Sequence, residues 1–318
     1  MNRPAPRTLR TVTGELSAAS VRGPALAHEH LALDLDRQGD GAAVLRPERH
    51  AGAVTAELTA LRKECGLSLV IELTCRGMGR DVGALTRISR DSQVAVVAST
   101  GWYYEPFHTP EIEASTVDQL TDVLVREIED GIDATGVRPG VLGEIGSHGD
   151  VPTAPEAKVL RAGARAALAT GLSLATHAQL GRGGLAQVEI LTGEGLPADR
   201  ISVGHQDLLD DPGVHRELAA RGAYVAFDTV GKSSYRSDRD RLALLLGLLE
   251  AGHADRVLLS CDISRHGYLV EEGGQGYGHL FSSFLPRLRA AGADDALVDL
   301  LTRRNPLRFL TGASEEDN

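Results

Sequence analysis

Short apolar runs alternate with longer amphipathic stretches along most of the chain. The apolar runs have the length and β-branched content of buried strands. The amphipathic stretches, such as AGAVTAELTALRKECG and EAKVLRAGARAALATG, have helical spacing and end in glycine, where a helix C-cap lies. The pattern predicts eight strands, at residues 24–30, 69–74, 94–100, 140–146, 172–178, 201–207, 223–228 and 257–262.

Eight strand–helix units are the number that closes a (β/α)8 TIM barrel, an α/β fold. A doubly wound open sheet is the alternative that the count alone leaves open. No Pro/Ser/Gly-rich linker divides the 318 residues, so we predict a single domain over 1–318. Residues 1–22 form an N-terminal extension in this prediction, with a hairpin that covers the barrel bottom, and residues 312–318 a frayed acidic tail.

The composition is that of a globular protein, with 42% hydrophobic and 24% charged residues. A net charge of −11 argues against a nucleic-acid partner, which requires a basic face. The three cysteines are scattered, as in reduced proteins, and the N-terminus has no apolar signal segment. No apolar run approaches the length of a membrane span. These features predict a cytoplasmic protein that does not bind membranes.

A glutamate stands between two histidines where the first predicted strand ends, in the sequence PALAHEH. Successive side chains of a strand point to opposite faces, so His28 and His30 share one face and Glu29 points to the other. Two imidazoles that converge on one small volume indicate a shared ligand, such as a metal ion. We expect Glu29 to have a structural role.

Other polar residues recur at the carboxyl ends of the predicted strands, where barrel enzymes assemble their active sites. Taken singly, each has an ordinary alternative, as a core histidine or a helix-capping carboxylate. Their repetition at one end of apolar strands favours a common role, because unpaired buried charges are costly. Their number exceeds the three ligands that one catalytic zinc takes from protein, which indicates a pair of ions. The candidate ligands are His28, His30, Glu144, His177, His205 and Asp262.

Five motifs occur in one order along the chain: HEH (28–30), GEIG (143–146), ATHA (175–178), VGHQD (203–207) and SCDISR (260–265). Together with FDTVGKSSY and the closing NPLRFL, they resemble the phosphotriesterase-like family of the amidohydrolase superfamily. That family includes phosphotriesterases, lactonases and phosphotriesterase homology proteins. The resemblance extends from about residue 8 to residue 310.

The resemblance implies a site for two divalent metal ions, with Zn²⁺ as the first candidate and Mn²⁺, Co²⁺ or Fe²⁺ as alternatives. Many family members bridge the two ions with a carboxylated lysine, whereas the phosphotriesterase homology subgroup has a glutamate. The family mechanism is hydrolysis by a hydroxide that bridges the ions, with Asp262 as the catalytic residue that accepts its proton. The implied ligands are His28, His30 and Asp262 for the buried ion, His177 and His205 for the exposed ion, and Glu144 as the bridge.

The chain departs from phosphotriesterases where those enzymes carry an Asp–His relay. The matching positions are Leu208 and Thr229, so efficient organophosphate hydrolysis is not expected. Lys232, Arg265 and Tyr268 instead resemble the residues with which family lactonases hold the phosphate of a sugar lactone. Solvated rim residues are the alternative for this set.

Three consecutive aromatic residues follow the third predicted strand. We predict that Trp102 and Tyr103, with Tyr104, wall the substrate pocket, with core packing as the alternative.

The leading hypothesis is a lactonase or carboxylic ester hydrolase for a small anionic substrate, such as a phosphorylated sugar lactone. The alternatives are an amidohydrolase of N-acyl amino acids, a weak phosphotriesterase, and a binding protein with a vestigial metal site. The complete ligand set argues against the last. Because family members are commonly dimers, a homodimer is a further expectation.

Overall fold

The computed structural model describes residues 8–312. Its strands are β1 (Thr8–Thr11), β2 (Gly14–Ser17), β3 (Ala25–Glu29), β4 (Leu33–Asp34), β5 (Val44–Leu45), β6 (Leu69–Glu72), β7 (Ala95–Val97), β8 (Ser99–Thr100), β9 (Val141–Ser147), β10 (Leu174–Ala178), β11 (Ile201–Val203), β12 (Tyr224–Phe227) and β13 (Val257–Leu259).

Eight parallel strands form the closed (β/α)8 barrel that the sequence predicts. Parallel pairing runs through β3, β6 and β7, and again from β8 through β9, β10, β11 and β12 to β13. β7 and β8 are successive parts of one barrel strand, and β13 packs against β3. The open doubly wound sheet is therefore not the fold.

Helices follow the barrel strands and form the outer layer. Thr116 begins α4 and Thr153 begins α5 with capping boxes, and Gly66 ends α1 and Gly171 ends α5 in the left-handed conformation that glycine favours. The helices are α1 (Pro47–Cys65), α2 (Val82–Ser92), α3 (Pro110–Ala114), α4 (Val117–Asp130), α5 (Ala154–Thr170), α6 (Gly184–Gly193), α7 (Pro212–Ala220), α8 (Asp238–Glu250), α9 (Leu285–Ala290), α10 (Asp295–Asp299) and α11 (Asn305–Thr311).

Two apolar layers hold the barrel together. The smaller one fills the interior with alternate strand residues, among them Ala25, Leu69 and Tyr224. The larger one lies between the strands and the helices and includes their neighbours Leu26, Val70 and others. This period of two is the packing expected of strands whose faces are both buried.

The N-terminal segment forms a hairpin, as predicted, because β1 pairs antiparallel with β2. Leu9 of the hairpin joins the interior apolar cluster, and Val12 bonds to the backbone of Val96, so the hairpin packs against the barrel. The predicted frayed tail lies outside the described residues, apart from Gly312, which ends α11. Each helix within residues 8–312 is too short or too polar to cross a membrane.

A β-bulge in β3 decides which side of the barrel its last residues face. The register with β6 shifts between Leu26 and Glu29. Ala25 and Ala27 belong to the interior cluster, so unbroken alternation would send His28 outward. An extra residue reverses the alternation beyond it, so that His28 points inward and Glu29 outward.

The same device occurs in β9, whose register with β10 shifts between residues 142 and 145. Val141 belongs to the interior cluster, whereas Leu142 and Ile145 belong to the outer one. The extra residue lies between them, and it turns the carboxylate of Glu144 towards the histidines inside the barrel.

Candidate active site

The six predicted metal ligands converge at the carboxyl end of the barrel, and all are buried. Glu144 lies at the centre of the cluster. Its Oε1 is 3.2 Å from His30 Nε2, and its Oε2 is 3.2 Å from His177 Nδ1. The same Oε2 is 3.5 Å from His28 Nε2 and 3.8 Å from His205 Nε2. One carboxylate therefore faces histidines from both predicted halves of the site.

Two sets of three ligand atoms share this carboxylate, with the atoms of each set within 4.8 Å of one another: His28, His30 and Glu144, and Glu144, His177 and His205. Asp262 Oδ1 adds a further oxygen, 3.2 Å from His30 Nε2 and 3.9 Å from His28 Nε2. Imidazole and carboxylate donors in this number suit two first-row divalent ions.

Asp228 orients one histidine in each set. Its Oδ2 accepts a hydrogen bond from His28 Nδ1 at 2.7 Å, and its Oδ1 accepts one from His205 Nδ1 at 2.9 Å. His28 Nε2 is then left buried, facing the cluster, without a hydrogen-bond partner among the described residues. A buried, unpartnered acceptor is costly, and it is what a metal ligand requires. The site therefore fits the implied metal ions.

A second carboxylate, that of Glu72, is linked to His30 by hydrogen bonds through the hydroxyl of Thr74. Thr74 Oγ1 lies 2.9 Å from His30 Nδ1, and it also bonds to the buried carboxylate of Glu72. Glu29 points away from the cluster, as predicted, and accepts hydrogen bonds from the backbone of Cys261 and Ile263, each at 2.8 Å. It thereby fixes the chain on both sides of Asp262.

The backbone turns sharply at two of the ligands. His205 has a φ of 58° and Asp262 a φ of 49°, in the left-handed region that residues other than glycine seldom adopt. Such conformations persist only where the surroundings enforce them, and they concentrate at functional sites. Here they bring the two side chains back over the open end of the barrel.

The pKa values reflect a cluster rich in negative charge. Burial raises the pKa of Glu144, but His28 and the neighbouring histidines lower it by more, so that the pKa is held well below its usual range. Burial likewise opposes ionisation of Asp262, and Lys232 and His30 outweigh it. Burial lowers the pKa of His30, yet Asp262 and Glu144 raise it to about 9. The carboxylates thus stay ionised and attract cations.

Lys232 lies in the candidate site, where it is paired with Asp262, one of the predicted metal ligands. Its ammonium group is buried, forms an ion pair with Asp262 Oδ2, and donates to Ser264 Oγ at 3.0 Å. Burial lowers the pKa of Lys232, and Asp262 raises it by more. The ring of Tyr268 packs 5.1 Å from the ammonium nitrogen.

A cavity of about 440 Å³ opens above the cluster. Tyr103, Lys232 and Arg265 line it, as do all the predicted ligands except His28. Tyr268 lies beside the cavity rather than in its lining, so its direct contact with substrate stays a prediction.

The prediction that Trp102 walls the pocket is wrong. Its side chain is fully buried, its indole nitrogen donates to Glu111 at 2.8 Å, and the Arg76 guanidinium packs over it. Tyr103 and Tyr104, which are predicted to wall the pocket with it, do line the cavity. Tyr103 Oη is 3.1 Å from His177 Nδ1, and the ring of Tyr104 stacks on the same imidazole, with centroids 5.2 Å apart.

The two positions of the phosphotriesterase relay also line the cavity. Leu208 presents an apolar side chain there, and the hydroxyl of Thr229 donates to Asp207. Asp207 is in turn bound by the fully buried Arg241, with 2.6 Å between Oδ2 and Nε. Neither position offers a general base to the cavity.

Sequence reasoning missed one part of the cavity wall, residues 35–43 between β4 and β5. Arg37 and Phe107, from different loops, meet there, with the guanidinium carbon 4.5 Å from the ring centroid. A sequence signal exists in DLDRQGDG (34–41), an Asp- and Gly-rich stretch that follows the first barrel strand by a few residues.

Comparisons with known proteins agree with this architecture. The phosphotriesterase homology protein of Escherichia coli is 38% identical over 287 residues, covering 90% of this chain and 97% of that protein. Its crystal structure, with phosphate in the active site, superposes with a TM-score of 0.88 at 37% identity, over 92% of this chain and 99% of that one.

Two further relatives are named for other activities. The N-acetyltaurine hydrolase of Danio rerio is 34% identical over 273 residues, covering 81% of this chain and 77% of that protein. A lactonase from Listeria monocytogenes superposes with a TM-score of 0.89 at 26% identity, over 96% of this chain and 100% of that one. The profile of the Phosphotriesterase family matches residues 7–310. The chain has the barrel, a glutamate common to both ligand sets, and this match over nearly its whole length. It belongs to the phosphotriesterase family of hydrolases.

Proposed function

We propose that this chain is a hydrolase that uses two divalent metal ions, Zn²⁺ first among the candidates, to cleave a carboxylic ester bond in a small anionic substrate. A lactone is the first candidate substrate. The observation that carries the proposal is Glu144, whose two oxygens face both sets of histidines at the floor of a cavity that also contains cationic side chains.

Glu144 and the histidines would hold the metal ions, which would supply a nucleophile at neutral pH and polarise the substrate carbonyl. Asp228 keeps Nε2 of His28 and His205 directed inward. Asp262 takes up a proton on a carboxylate oxygen during attack and returns it to the leaving group. Its ion pair with Lys232 keeps that carboxylate ionised and in place beforehand.

An anionic substrate suits the cations that line the cavity. Arg265 is exposed and reaches the lining from the loop after β13, and Lys232 lies deeper. A guanidinium fork and an ammonium group bind phosphate, sulfonate or carboxylate well. The phosphate in the active site of the Escherichia coli relative agrees with this preference.

An N-acyl amide is the second candidate, favoured by the N-acetyltaurine hydrolases among the relatives. An amide carbonyl needs the same metal assistance as an ester, and an amino sulfonate leaving group is anionic. Organophosphate triesters fit less well, because Leu208 and Thr229 replace the relay of the phosphotriesterases.

The test is a hydrolysis screen of the purified protein with its metal content measured in parallel. The panel contains neutral lactones, phosphorylated sugar lactones, N-acetyltaurine, other N-acyl amino acids and paraoxon. Two metal ions per chain with turnover of lactones supports the first proposal, and turnover of N-acyl amides alone supports the second. Full activity in protein free of metal would overturn both. A Glu144→Ala variant that retained two ions would show that this carboxylate does not bridge them.

A further inference from the structure

The loop at residues 35–43 is held in one shape by its own acidic side chains. The carboxylate of Asp36 accepts backbone hydrogen bonds from Gly39, Asp40 and Gly41, at 2.7, 3.1 and 3.0 Å. Gly39 and Gly41 have φ values of 74° and 71°, which suit glycine.

The base of the loop is fixed as well. Arg46 Nε donates to Asp34 Oδ2 at 3.1 Å, and the amide of Leu35 donates to the carbonyl of Ala43 at 2.9 Å. The carboxylates of Asp34 and Asp36 therefore have their hydrogen-bond partners within the loop and its base.

Arg37 is the positive charge of this loop, and Asp40, which also lines the cavity, accepts a hydrogen bond from the amide of Ala42 at 2.9 Å. The side chain of Arg37 lines the cavity and stacks on Phe107, yet it has no hydrogen-bond or ion-pair partner within residues 8–312. Stacking on an aromatic face orders the guanidinium without using its N–H groups. Those donors stay available in the plane of the group, in the fork that matches an oxyanion.

An arginine without an acidic partner stands out in a chain with this much negative charge. The chain has a net charge of −11, and many of its exposed arginines have acidic partners, such as Arg182 with Asp150 and Arg221 with Glu217. Arg265, on the loop after β13, lines the same cavity, and no ion pair within the described residues engages it. Because β13 is next to β3 in the barrel, the two guanidiniums stand on neighbouring loops.

We propose that Arg37 is a specificity-determining residue that binds the anionic substituent of the substrate at the mouth of the cavity, while the bond to be cleaved lies at the metal cluster. The substrate class is then a small carboxylic ester or amide with a terminal phosphate, sulfonate or carboxylate. This inference rests on the proposed function for the bond that is cleaved, but the binding of the anion can be measured without turnover.

The experiment compares Arg37→Ala and Arg37→Lys with Arg182→Ala, the matched control. Arg182 is an exposed arginine on the same end of the barrel, outside the cavity lining, whose loss changes the net charge equally. Calorimetry measures the Kd of two matched probe pairs. One pair is N-acetyltaurine and the neutral N-propylacetamide, and the other is a phosphorylated sugar lactone and its unphosphorylated parent. KM and kcat are measured for any probe that is hydrolysed.

We expect Arg37→Ala to weaken binding of an anionic probe by about 10- to 100-fold, the range for hydrogen bonds to a charged group. The neutral probe of the same pair should bind to Arg37→Ala as it does to wild type, and kcat should change little. Arg37→Lys should recover part of the affinity for the anionic probe. An equal loss for the neutral probe, an unchanged Kd for the anionic one, or wild-type protein with no preference for either anion would overturn the proposal. Metal-loaded protein that binds the anion through Arg37 but hydrolyses nothing would refute the proposed function and leave this inference intact.

Discussion

Asp228 links the two histidine sets of the candidate metal centre through a single carboxylate. Each of its oxygens accepts a hydrogen bond from a different histidine, so each Nδ1 carries the proton and each Nε2 is left as an acceptor. Replacement by asparagine changes little in shape but offers only one acceptor oxygen. The second histidine would then face an NH₂ group and adopt the tautomer that protonates Nε2.

We therefore predict that Asp228→Asn lowers metal affinity by about 10- to 100-fold, the usual effect of losing such an outer partner. Metal content after dialysis against a weak chelator, together with kcat/KM at fixed metal concentration, would measure it. Asp150→Asn is the control, because Asp150 is exposed and, among residues 8–312, pairs only with Arg182. Unchanged metal occupancy in Asp228→Asn would show that the tautomer is set elsewhere.

Glu144 leads to a second prediction at this scale. Its carboxylate belongs to the side chain, whereas a carboxylated lysine must first react with CO₂. Metal-free protein should therefore take up metal equally fast and fully in CO₂-free buffer and in buffer with bicarbonate. Stopped-flow recovery of activity and metal content at the end point are the measurements. Dependence of either on bicarbonate would contradict the assignment of Glu144 as the bridge.

At the scale of elements, Glu127 on α4 joins this helix to the strands and loops beside it. It bonds to Arg76, to Arg80 and to the hydroxyl of Thr100 on β8. Burial raises the pKa of Glu127, but the hydrogen bonds and charge of Arg80, with Thr100 and Arg76, lower it below its ordinary value. A depressed pKa in the folded state stabilises the protein above the unfolded pKa, and this stabilisation is lost as the pH falls towards the folded value.

Glu127→Gln should thus lower the free energy of unfolding by about 1.5–3 kcal/mol at pH 7, the range for hydrogen bonds to a charged group. The difference from wild type should shrink as the pH is lowered below about 4.5, the unperturbed value. Urea unfolding at several pH values measures it. Glu129→Gln, on the same helix but about half exposed, is the control and should have little effect. A difference that stays constant with pH would mean that lost packing, not charge, is responsible.

At the scale of the whole molecule, the candidate ligands come from five strands and the loops that follow them, so bound metal connects most of the barrel. The unfolded chain has no such site, and metal binding therefore adds directly to stability. We predict that removing the metal with a chelator abolishes activity and lowers the Tm. Restoring metal to 100–1,000 times its Kd should return about 3–4 kcal/mol of unfolding free energy.

Thermal melts across a metal titration measure this effect. The control is Glu144→Ala, whose Tm should respond weakly to added metal because the carboxylate common to both ligand sets is missing. A chelator that removes activity without changing the Tm of the wild-type protein would contradict a metal centre that spans the barrel.

Much of the fold and of the candidate site could be predicted from the sequence. The eight apolar runs and their glycine-ended helices specify a closed barrel, and in a barrel all strand ends meet at one face. Residues as far apart as His28 and Asp262 could therefore be grouped from their positions alone. The loops could not be read in this way. Trp102 and Tyr103 are neighbours of similar chemistry, yet Trp102, which pairs with Arg76 in a parallel bridge beyond β8, packs in the core, and Tyr103 lines the cavity.

The sequence by itself determined that His28 and His30 share a face and that Glu29 opposes them, because side chains alternate along any strand. It did not determine which face is the interior. Simple alternation from Ala25 would place both histidines among the helices, and only the bulge in β3 turns them inward. A bulge depends on the register with the neighbouring strand, which exists only once distant segments have paired. For the same reason the tertiary structure alone decided that Glu144 faces the histidines. It alone also decided that Arg37 meets Phe107, because the two residues lie on loops that are distant in sequence.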